Sequence, residues 1–345
     1  MSASLNEGEV VKTPTVEAQR DYTILARLYR LISDDLEKTE AILQREMRSP
    51  YPFVDDLVQH GGRLGGKRLR PALLLLTAGA IGPVRPAHHT LAAVIEMIHL
   101  ATLVHDDVLD EASVRRHLAT VNSRWDNEAS VLLGDYLFTH AFHLSTMLDT
   151  TYGARTIGRA TNLVCEAELR QKGSCGNFEL DEADYLSIIE GKTAELCACS
   201  CHLGAYFAGA DESLVADMEK FGKDLGVAFQ IVDDVLDFIG SEEETGKSLG
   251  NDLAQRKPTL PLIHFLRSLA DSDRHEWLDS LRDQSSEELE PQLRQAMTEC
   301  GSIEYAREVA SDHVQRAIAR LERLADSEAK QILQQTAEFV LARCL

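Results

Sequence analysis

Apolar residues recur at steps of three and four along most of this chain. The segment YTILARLYRLISDDLEKTEAIL, from residue 22 to residue 43, is the first clear example. Apolar residues at that spacing lie on one face of a 3.6-residue helix, so the pattern indicates an amphipathic helix. The same reasoning predicts helices at 71–80, 88–111, 128–148, 154–171, 182–209, 214–238, 260–270, 287–300 and 303–325, and a last helix from about 328.

The positions of the nine prolines favour a helical structure for the middle of the chain. None of them lies between Ala87 and Lys257, and a proline costs about 3 kcal/mol inside a helix. Residues 1–20 have no apolar period and predict a flexible tail. No linker rich in Gly, Ser or Pro divides the remainder. We therefore predict an all-α protein with one domain at 21–345, a single large helical bundle of roughly ten helices around a central cavity.

Two acidic clusters interrupt the apolar pattern, in LVHDDVLDEASVRR at 103–116 and in FQIVDDVLDF at 229–238. Both clusters read D-D-V-L-D, and their carboxylates are those of Asp106, Asp107, Asp110, Asp233, Asp234 and Asp237. The first and last aspartates of each cluster share a helix face, because residues four apart lie one above the other. Carboxylates on a mostly buried helix need bound cations. Oxygen ligands alone favour a hard ion, Mg²⁺ above all.

A single D-D-x-x-D segment could equally be a solvated helix face, and the D-D pair also occurs at 34–35 and 55–56. Two complete clusters change this balance. Both follow apolar residues, and basic residues follow both. That combination predicts a metal-dependent site that binds phosphate groups.

Composition and charge limit the possible partners. Hydrophobic residues make up 44% of the chain, charged residues make up 26%, and the formal net charge is −21. So acidic a surface repels nucleic acid and anionic lipid, and an anionic substrate must be bound by local cations. The seven cysteines match neither a zinc motif nor a disulfide scaffold, which suits a cytoplasmic enzyme. We expect neither a signal peptide nor a transmembrane segment.

Six segments in a fixed order resemble the trans-isoprenyl diphosphate synthases, also called polyprenyl synthetases, over residues 25–345. They are GGKRLRP at 65–71, HDDVLDEASVRR at 105–116, LLGDYLF at 132–138, GKTAEL at 191–196, FQIVDDVLD at 229–237 and GKSLGNDLAQRKPTLP at 246–261. The resemblance is strongest to bacterial long-chain members of the octaprenyl and solanesyl type. It implies the all-α isoprenoid synthase fold and a homodimer. It also implies a prenyltransferase that uses Mg²⁺ to join isopentenyl diphosphate to an allylic diphosphate.

The resemblance also implies a role for each matching residue. The six aspartates would hold Mg²⁺ at the allylic diphosphate, with Asp237 acting through water and Lys192 sharing in catalysis. The residues expected around the allylic substrate are Arg115, Lys192, Thr193, Gln230, Lys247 and Lys257. The residues expected to bind isopentenyl diphosphate are Lys67, Arg70, His99 and Arg116. The chain departs from the family at His117 and at Ala167, where glycine is common in relatives.

Two small residues before the first cluster bear on the product. In this family, aromatic residues at the fourth and fifth positions upstream shorten the product, and here those positions hold Thr102 and Ala101. One helical turn, about 5.4 Å, is comparable to one five-carbon unit. The resemblance therefore predicts a long-chain product of about C40–C45 for quinone side chains, with the cavity floor at Leu144, Met147 or Leu148.

Four alternatives remain at this point. The chain could be a medium- or short-chain synthase that makes a product of about C15–C25, such as geranylgeranyl diphosphate. It could be a non-catalytic subunit of a heteromeric synthase, although such subunits usually lose aspartates. The chain could also be a terpene cyclase, but a cyclase binds no isopentenyl diphosphate, so the GGKRLRP segment would have no role in it. A calcium-binding helical module would need an EF-hand loop, which the chain lacks.

Overall fold

Helices account for most of the described chain, which comprises residues 26–240 and 250–343 of this computed structural model. Residues 26–31 are helical. The helices that follow in the first half are α1 (Ser33–Glu46), α2 (Pro52–Arg63), α3 (Leu69–Ile81), α4 (Pro86–Leu109), α5 (Val121–Arg124), α6 (Asn127–Thr146) and α7 (Tyr152–Ser174). The second half contains α8 (Glu182–Ile189), α9 (Glu195–Ala208), α10 (Glu212–Ile239), α11 (Asn251–Ala254), α12 (Leu260–Ser268), α13 (Asp271–Asp283), α14 (Ser286–Glu299), α15 (Ser302–Arg320) and α16 (Glu328–Ala342).

The all-α prediction is confirmed, and most predicted helices end within a few residues of the observed bounds. Several features differ. The pattern does not predict α2, α5, α11 or α13, and it does not predict the two-stranded antiparallel ribbon of β1 (Val114–Arg115) and β2 (Leu118–Ala119). The continuous helix predicted at 182–209 is wrong, because a π-helical turn at Glu190–Ala194 separates α8 from α9. The predicted tail at 1–20 lies outside the described residues.

Side-chain caps fix where several of these helices begin. Asp126 caps α6 by accepting a hydrogen bond from the Ala129 amide at 2.7 Å. The N-caps of α8, α10, α14 and α16 are, in the same way, Asp181, Asp211, Ser285 and Ser327. Each cap supplies one of the acceptors that the first turn of a helix lacks. The capping aspartates between the helices thus fix where these helices begin, in addition to supplying charge.

The core is built around α4, α9 and α10. Helix α4 packs against α6, α3 and α1, while α9 lies between α3 and α10, and α10 packs along α15. Two glycines permit close crossings in this core. A Cβ at Gly204 would lie 2.4 Å from the Leu74 carbonyl oxygen, and a Cβ at Gly222 would lie 2.4 Å from the Cys197 carbonyl oxygen. These close-packed crossings fix α3 and α10 against α9.

Helix α4 is the one helix of the described residues that is long and apolar enough to cross a membrane. Of its most apolar window, however, 72% is buried within the protein. Residues 91–95 and 97–98 are fully buried, and the α3 stretch that packs against them is equally apolar. Helix α4 is therefore accounted for as the central core helix of the bundle.

Candidate active site

The first acidic cluster lies where α4 ends. Asp106 and Asp107 occupy the last turn of α4, and Asp110 is its C-cap. Asp107 is almost fully buried, and its Oδ1 accepts a hydrogen bond from Arg115 Nε at 2.7 Å. Burial raises the pKa of Asp106 to about 6, although the nearby Lys192 opposes that rise. Asp110 is more exposed, and its Oδ1 lies 3.6 Å from Lys257 Nζ. Three carboxylates thus lie at one helix end.

The β-ribbon returns two arginines toward this helix end. Its turn consists of Arg116 and His117, whose φ angles are +51° and +64°. Positive φ at both central residues is the requirement of the tight hairpin turn. Arg115 points back to Asp107, while Arg116 Nη1 donates a hydrogen bond to the Leu64 carbonyl oxygen at 2.9 Å. The ribbon therefore delivers neighbouring arginines to two different places.

The second acidic cluster lies on the last turns of α10. Asp234 is buried, and its carboxylate accepts hydrogen bonds from Tyr185 at 2.6 Å and from Gln230 at 2.7 Å. Burial raises the pKa of Asp234 well above its ordinary value, and the adjacent Asp252 adds to the rise. The Oδ2 atom of Asp237 accepts a hydrogen bond from the Asp252 amide at 3.0 Å, so the start of α11 is attached to this cluster.

The remaining aspartate of the second cluster pairs with the far end of the chain. Asp233 Oδ1 lies 2.8 Å from Arg343 Nη1, at an angle that does not form a hydrogen bond. The same guanidinium stands over the Phe229 ring, 4.9 Å from its centroid. Sequence analysis did not identify Arg343, because no local pattern connects it to a residue so far along the chain.

The π-helical turn presents Lys192 and Thr193 between the clusters. Lys192 Nζ donates to Glu168 at 2.9 Å and to Gln171 at 2.8 Å, and Thr193 donates to the Gln230 side-chain oxygen at 2.6 Å. Burial opposes the charge of Lys192, but Asp106 and Glu168 outweigh it and raise the pKa of the ammonium group. Single π-turns inside helices often occur at functional sites.

The departure at Ala167 has a packing consequence beside this turn. A Cβ on Gly191 would lie 2.6 Å from the Ala167 Cβ. The glycine and the alanine therefore let α7 and the π-turn approach closely. This approach brings the Glu168 and Gln171 side chains of α7 to the Lys192 ammonium.

Lys192 and Lys257 connect the two acidic clusters. Together with Gln230 and Asp234 they line one cavity with an empty volume of about 460 Å³. Lys192 interacts electrostatically with Asp106, and Lys257 is the lysine that lies beside Asp110. Both lysines therefore stand between the two helix ends. Further lining residues that the sequence did not single out are Gln171, Tyr185, Asp252 and Thr259.

A second cationic group lies apart from the carboxylates. Arg70 Nη1 and His99 Nε2 are 3.1 Å apart. Burial, reinforced by Arg70 and Arg116, holds the pKa of His99 well below its ordinary value, so the ring is neutral and accepts from Arg70. Arg70 Nε is buried and has no hydrogen-bond partner among the described residues. An unpaired buried donor of this kind favours an anionic ligand. Lys67 is exposed next to it.

The donor set of the two clusters is suited to a hard divalent ion. Within 26–240 and 250–343, no three acidic, histidine or cysteine side chains already converge as a closed metal cage. Asp107 Oδ2 is, however, buried and lacks a hydrogen-bond partner in that part of the chain. A carboxylate oxygen without a donor is what an added cation would satisfy. Lys247 lies outside the described residues.

Comparisons with known proteins decide the family. The family model described as polyprenyl synthetase matches residues 52–299. The chain belongs to the polyprenyl synthetase family. The octaprenyl diphosphate synthase of Escherichia coli (strain K12) is 33% identical over 319 residues, which is 92% of this chain and 99% of that protein. The predicted family and the prediction of an enzyme that is a trans-prenyl diphosphate synthase are therefore confirmed.

Solved structures of polyprenyl synthetases share this fold. A decaprenyl diphosphate synthase from Rhodobacter capsulatus superposes with a TM-score of 0.88 at 36% identity, covering 93% of this chain and 99% of that chain. A polyprenyl synthase from Caulobacter crescentus CB15, complexed with calcium and isoprenyl diphosphate, gives a TM-score of 0.87 at 32% identity over 93% and 98% of the two chains. The predicted isoprenoid synthase fold is thereby confirmed.

Proposed function

We propose that this polyprenyl synthetase condenses isopentenyl diphosphate with an allylic diphosphate in a Mg²⁺-dependent reaction. The all-trans product is a long-chain polyprenyl diphosphate of about C40–C45, at roughly one helical turn per five-carbon unit. The observation that carries this proposal is the separation of two anion sites. One is built from two aspartate clusters joined by Lys192 and Lys257, and the other from Arg70, His99 and their neighbours, outside both aspartate clusters.

The aspartates of both clusters would hold the metal. They are Asp106, Asp107, Asp110, Asp233, Asp234 and Asp237. When bound, Mg²⁺ would neutralise the negative charge that develops on the diphosphate leaving group. Arg115, Lys257 and Arg343 are paired with these carboxylates. Arg115 and Lys257 lie beside the aspartates that would hold the metal, so their cationic groups would be placed to bind the diphosphate oxygens.

The rest of the chain binds and orients the two substrates. Lys192 holds the allylic diphosphate, and the Thr193–Gln230–Asp234 chain of hydrogen bonds fixes the side of the cavity near the allylic carbon. Lys247, outside the described residues, is proposed as a further ligand of the same diphosphate. Isopentenyl diphosphate is bound by Lys67, Arg70, His99 and Arg116. Its diphosphate needs no metal there, because guanidinium groups provide both charge and paired donors. Two substrates held in adjacent sites react without a covalent intermediate on the protein.

Small residues in α4 support the long-chain assignment. Ala101 is fully buried and Thr102 is partly buried with its hydroxyl donating to the His99 carbonyl, so neither projects bulk below the first cluster. Of the three expected floor residues, Leu144 is buried and Leu148 is partly buried. Met147 is 69% exposed, which is inconsistent with a place at the floor of an internal cavity. The floor is therefore better assigned to Leu144 and Leu148.

Relatives of this chain make products of different lengths, so medium- or short-chain synthesis is the competing assignment. An all-trans-nonaprenyl-diphosphate synthase of Rhodobacter capsulatus is 34% identical, and a short chain isoprenyl diphosphate synthase of Methanothermobacter thermautotrophicus is 35% identical. The non-catalytic-subunit alternative also has a counterpart. The heptaprenyl diphosphate synthase component 2 of Bacillus subtilis (strain 168) is 34% identical.

Product analysis of the purified chain tests the proposal. The protein is incubated with farnesyl diphosphate, radiolabelled isopentenyl diphosphate and Mg²⁺, and the dephosphorylated products are separated by chain length. We expect products near C40–C45, at roughly one five-carbon unit per helical turn of cavity depth, and loss of all products in EDTA. Products that end at geranylgeranyl length would support the short-chain alternative. Complete inactivity of the single chain with Mg²⁺ would support the heteromeric-subunit alternative.

A size change at Ala101 tests the chain-length assignment directly. Ala101→Phe places an aromatic ring just below the first cluster, so we expect shorter products at unchanged primer use. Ala101→Ser, a small replacement, is the matched control and should retain the long product. Since overpacking a buried site costs about 1–3 kcal/mol, the fold of the variant is checked by circular dichroism. Should Ala101→Phe not fold, Thr102→Phe makes the same test at a partly exposed position. Unchanged product length would show that the cavity runs elsewhere.

We further propose that the partner of this chain is a second copy of itself and that the enzyme is cytoplasmic. Exposed apolar side chains occur on both α6 and α7, where Leu132 is 60% exposed and Leu169 is 74% exposed. Such a patch favours a protein interface. The six cysteines of the described residues are all unpaired, as expected in a reducing compartment. The single domain at 21–345 is part of this proposal.

A further inference from the structure

Arg68, within the GGKRLRP segment, makes a buried ion-pair triad that no role assigned above requires. Its Nε donates to Glu40 at 2.6 Å, and its Nη1 donates to Glu96 at 2.7 Å. Glu96 lies in the middle of α4 and is almost completely buried, and the Arg68 side chain is only 18% exposed. Burial raises the pKa of the Glu96 carboxyl, and Arg68 opposes that rise. A buried ion pair contributes little net stability on average. The triad is therefore better explained by a role in positioning neighbouring residues than by a contribution to stability.

The backbone at Arg68 is held in an uncommon conformation. Its φ is +50° and its ψ is +37°, and it immediately precedes the first residue of α3. A side chain other than glycine rarely adopts the left-handed region, and its cost must be offset by the surroundings. The contacts of the Arg68 side chain with Glu40 and Glu96 hold the backbone in this conformation. Arg70, which follows two residues later, is positioned by the same turn.

Arg68 and Arg70 form two successive links between the start of α3 and helix α4. Arg68 reaches Glu96, and Arg70 reaches His99, which is three residues further along α4. Residues three apart lie on the same helix face, so the two links are adjacent. The first link joins groups with full charges, whereas the second joins a guanidinium to a neutral imidazole that can exchange partners. The Arg68–Glu96 link therefore fixes the spacing between the start of α3 and helix α4 at which Arg70 contacts His99.

The glycines before Arg68 are packed under guanidinium groups. A Cβ at Gly65 would lie 2.3 Å from Arg68 Nη1, and a Cβ at Gly66 would lie between 2.3 and 2.5 Å from the guanidinium atoms of Arg116. The Tyr29 hydroxyl donates to the carbonyl oxygen of Lys67. The residues on each side of Lys67 are therefore fixed by contacts of their own, while its side chain remains exposed.

We propose that Arg68, clamped by Glu96 and Glu40, is a positioning residue that sets Lys67 and Arg70 in place for the diphosphate of the metal-independent substrate. This inference rests on the proposed function, in which that substrate is isopentenyl diphosphate. Arg68 does not contact the ligand in this arrangement. It acts through the turn that it stabilises, so its effect is confined to one of the two substrates.

The test separates the two substrates. Arg68→Gln removes the charge that binds both carboxylates, and we expect the KM for isopentenyl diphosphate to rise at least tenfold. The KM for farnesyl diphosphate, measured with isopentenyl diphosphate saturating, should stay within twofold of the wild-type value. Isothermal titration of isopentenyl diphosphate into metal-free protein in EDTA should show the same tenfold loss. Arg68→Lys should recover only part of the affinity, because one ammonium cannot replace two directed guanidinium contacts.

Two further variants control for loss of folding and for a nonspecific effect of removing a charge. Glu40→Gln removes the more exposed of the two carboxylates and carries less risk to folding; we expect about a threefold rise confined to the same KM. Arg48→Gln is the matched control, since Arg48 pairs only with the surface residue Asp55 and should leave both KM values unchanged. Circular dichroism establishes that each variant is folded.

The outcomes distinguish this inference from the function on which it rests. A folded Arg68→Gln variant with wild-type affinity for isopentenyl diphosphate, or with equal rises in both KM values, would overturn the positioning role alone. Wild-type protein that neither binds nor consumes isopentenyl diphosphate would overturn the proposed function, and this inference with it.

Discussion

The turn at Arg116 and His117 shows how a single residue can carry both strain and function. Both residues have positive φ in a two-residue hairpin turn. Arg116 uses the turn to reach the Leu64 carbonyl group, and it is one of the arginines proposed to bind substrate. His117 is exposed. The glycine that is common in relatives at this position would adopt the positive φ without strain, so His117 is a position at which a glycine would relieve backbone strain.

Replacing His117 by glycine should stabilise the protein. The left-handed conformation costs a non-glycine residue about 1–2 kcal/mol, and the extra freedom of glycine in the unfolded chain cancels part of the gain. We expect His117→Gly to raise the free energy of unfolding by about 0.5–1 kcal/mol, measured by urea denaturation. Ser113→Gly, at an exposed position without positive φ, is the control and should lower it. A less stable His117→Gly variant would contradict the strain argument.

At the scale of elements, one carboxylate connects three helices away from the site. Glu219 on α10 accepts from His202 of α9 at 2.8 Å and from Arg159 of α7 at 2.8 Å. The other nitrogen of the His202 ring lies 2.8 Å from the Tyr152 hydroxyl, which is at the start of α7. The hydrogen bond from His202 is the main reason that the pKa of Glu219 is lowered. These contacts fasten the beginning of α7 to the α9–α10 pair.

The lowered pKa of Glu219 gives its contribution a defined pH range. A depressed carboxyl pKa stabilises the fold above the unfolded value of 4.5 and is lost as the pH falls through the lower folded value. We expect Glu219→Gln to lower the free energy of unfolding by about 1–2 kcal/mol at pH 7. The difference from wild type should shrink as the pH falls below 4.5.

Urea denaturation at pH 7, 5 and 4 measures this difference. The control is Glu276→Gln on α13, which removes the same formal charge from an exposed position and should change stability little at any pH. A Glu219→Gln defect that stays constant down to pH 4 would show that packing, not the ionised carboxylate, is responsible.

Most helices could be predicted because their burial follows the helical period. The exceptions have physical causes. Helix α13 buries only Leu278 and Leu281, so it offers too few apolar positions to show a period. The strands of the ribbon are two residues long, which is too short for an alternation. A π-turn of five residues cannot be distinguished from helix by periodicity, since the two periods diverge too little over that length.

The candidate site could be predicted as a set of residues but not as a set of contacts. The two D-D-V-L-D clusters and the GGKRLRP segment are local patterns, so sequence reasoning found them. Tyr185 and Arg343 reach the second cluster from 49 and about 110 positions away, and only the fold brings them there. Arg68 stands inside a recognised segment, but its partners Glu40 and Glu96 lie 28 residues away on either side.

At the scale of the whole molecule, the candidate site contains cationic side chains although the net charge of the chain is negative. The chain carries −21 overall, yet Lys192 and Lys257 line the cavity, Arg115 pairs with Asp107 of the first cluster, and Arg70 lies at His99. Three of the aspartates are paired with cations from the chain itself. This pairing offsets the repulsion between neighbouring carboxylates, which is costly when the carboxylates are buried and unpaired.

The proposed dimer rests on the remaining exposed apolar surface. Val131 and Leu132 are adjacent on α6 and are 44% and 60% exposed. A single exposed leucine needs no explanation, but these residues continue into the exposed Leu163 and Leu169 of the neighbouring α7. A self-complementary patch on two adjacent helices suits a twofold dimer, in which the same surface of each copy is covered.

Breaking that patch should separate the copies without unfolding them. Leu132→Glu places a charge in the centre of the exposed face, and a buried unpaired carboxylate is costly enough to prevent association. We expect light scattering after size exclusion to give about twice the 38.3 kDa chain mass for wild type and the single mass for Leu132→Glu. Leu132→Met keeps the surface apolar and should remain dimeric. Helix α6 packs against α4, which bears the first cluster. We therefore expect the monomeric variant to lose activity as well as its dimer partner. A monomeric wild type, or a Leu132→Glu variant that still elutes as a dimer, would place the interface elsewhere.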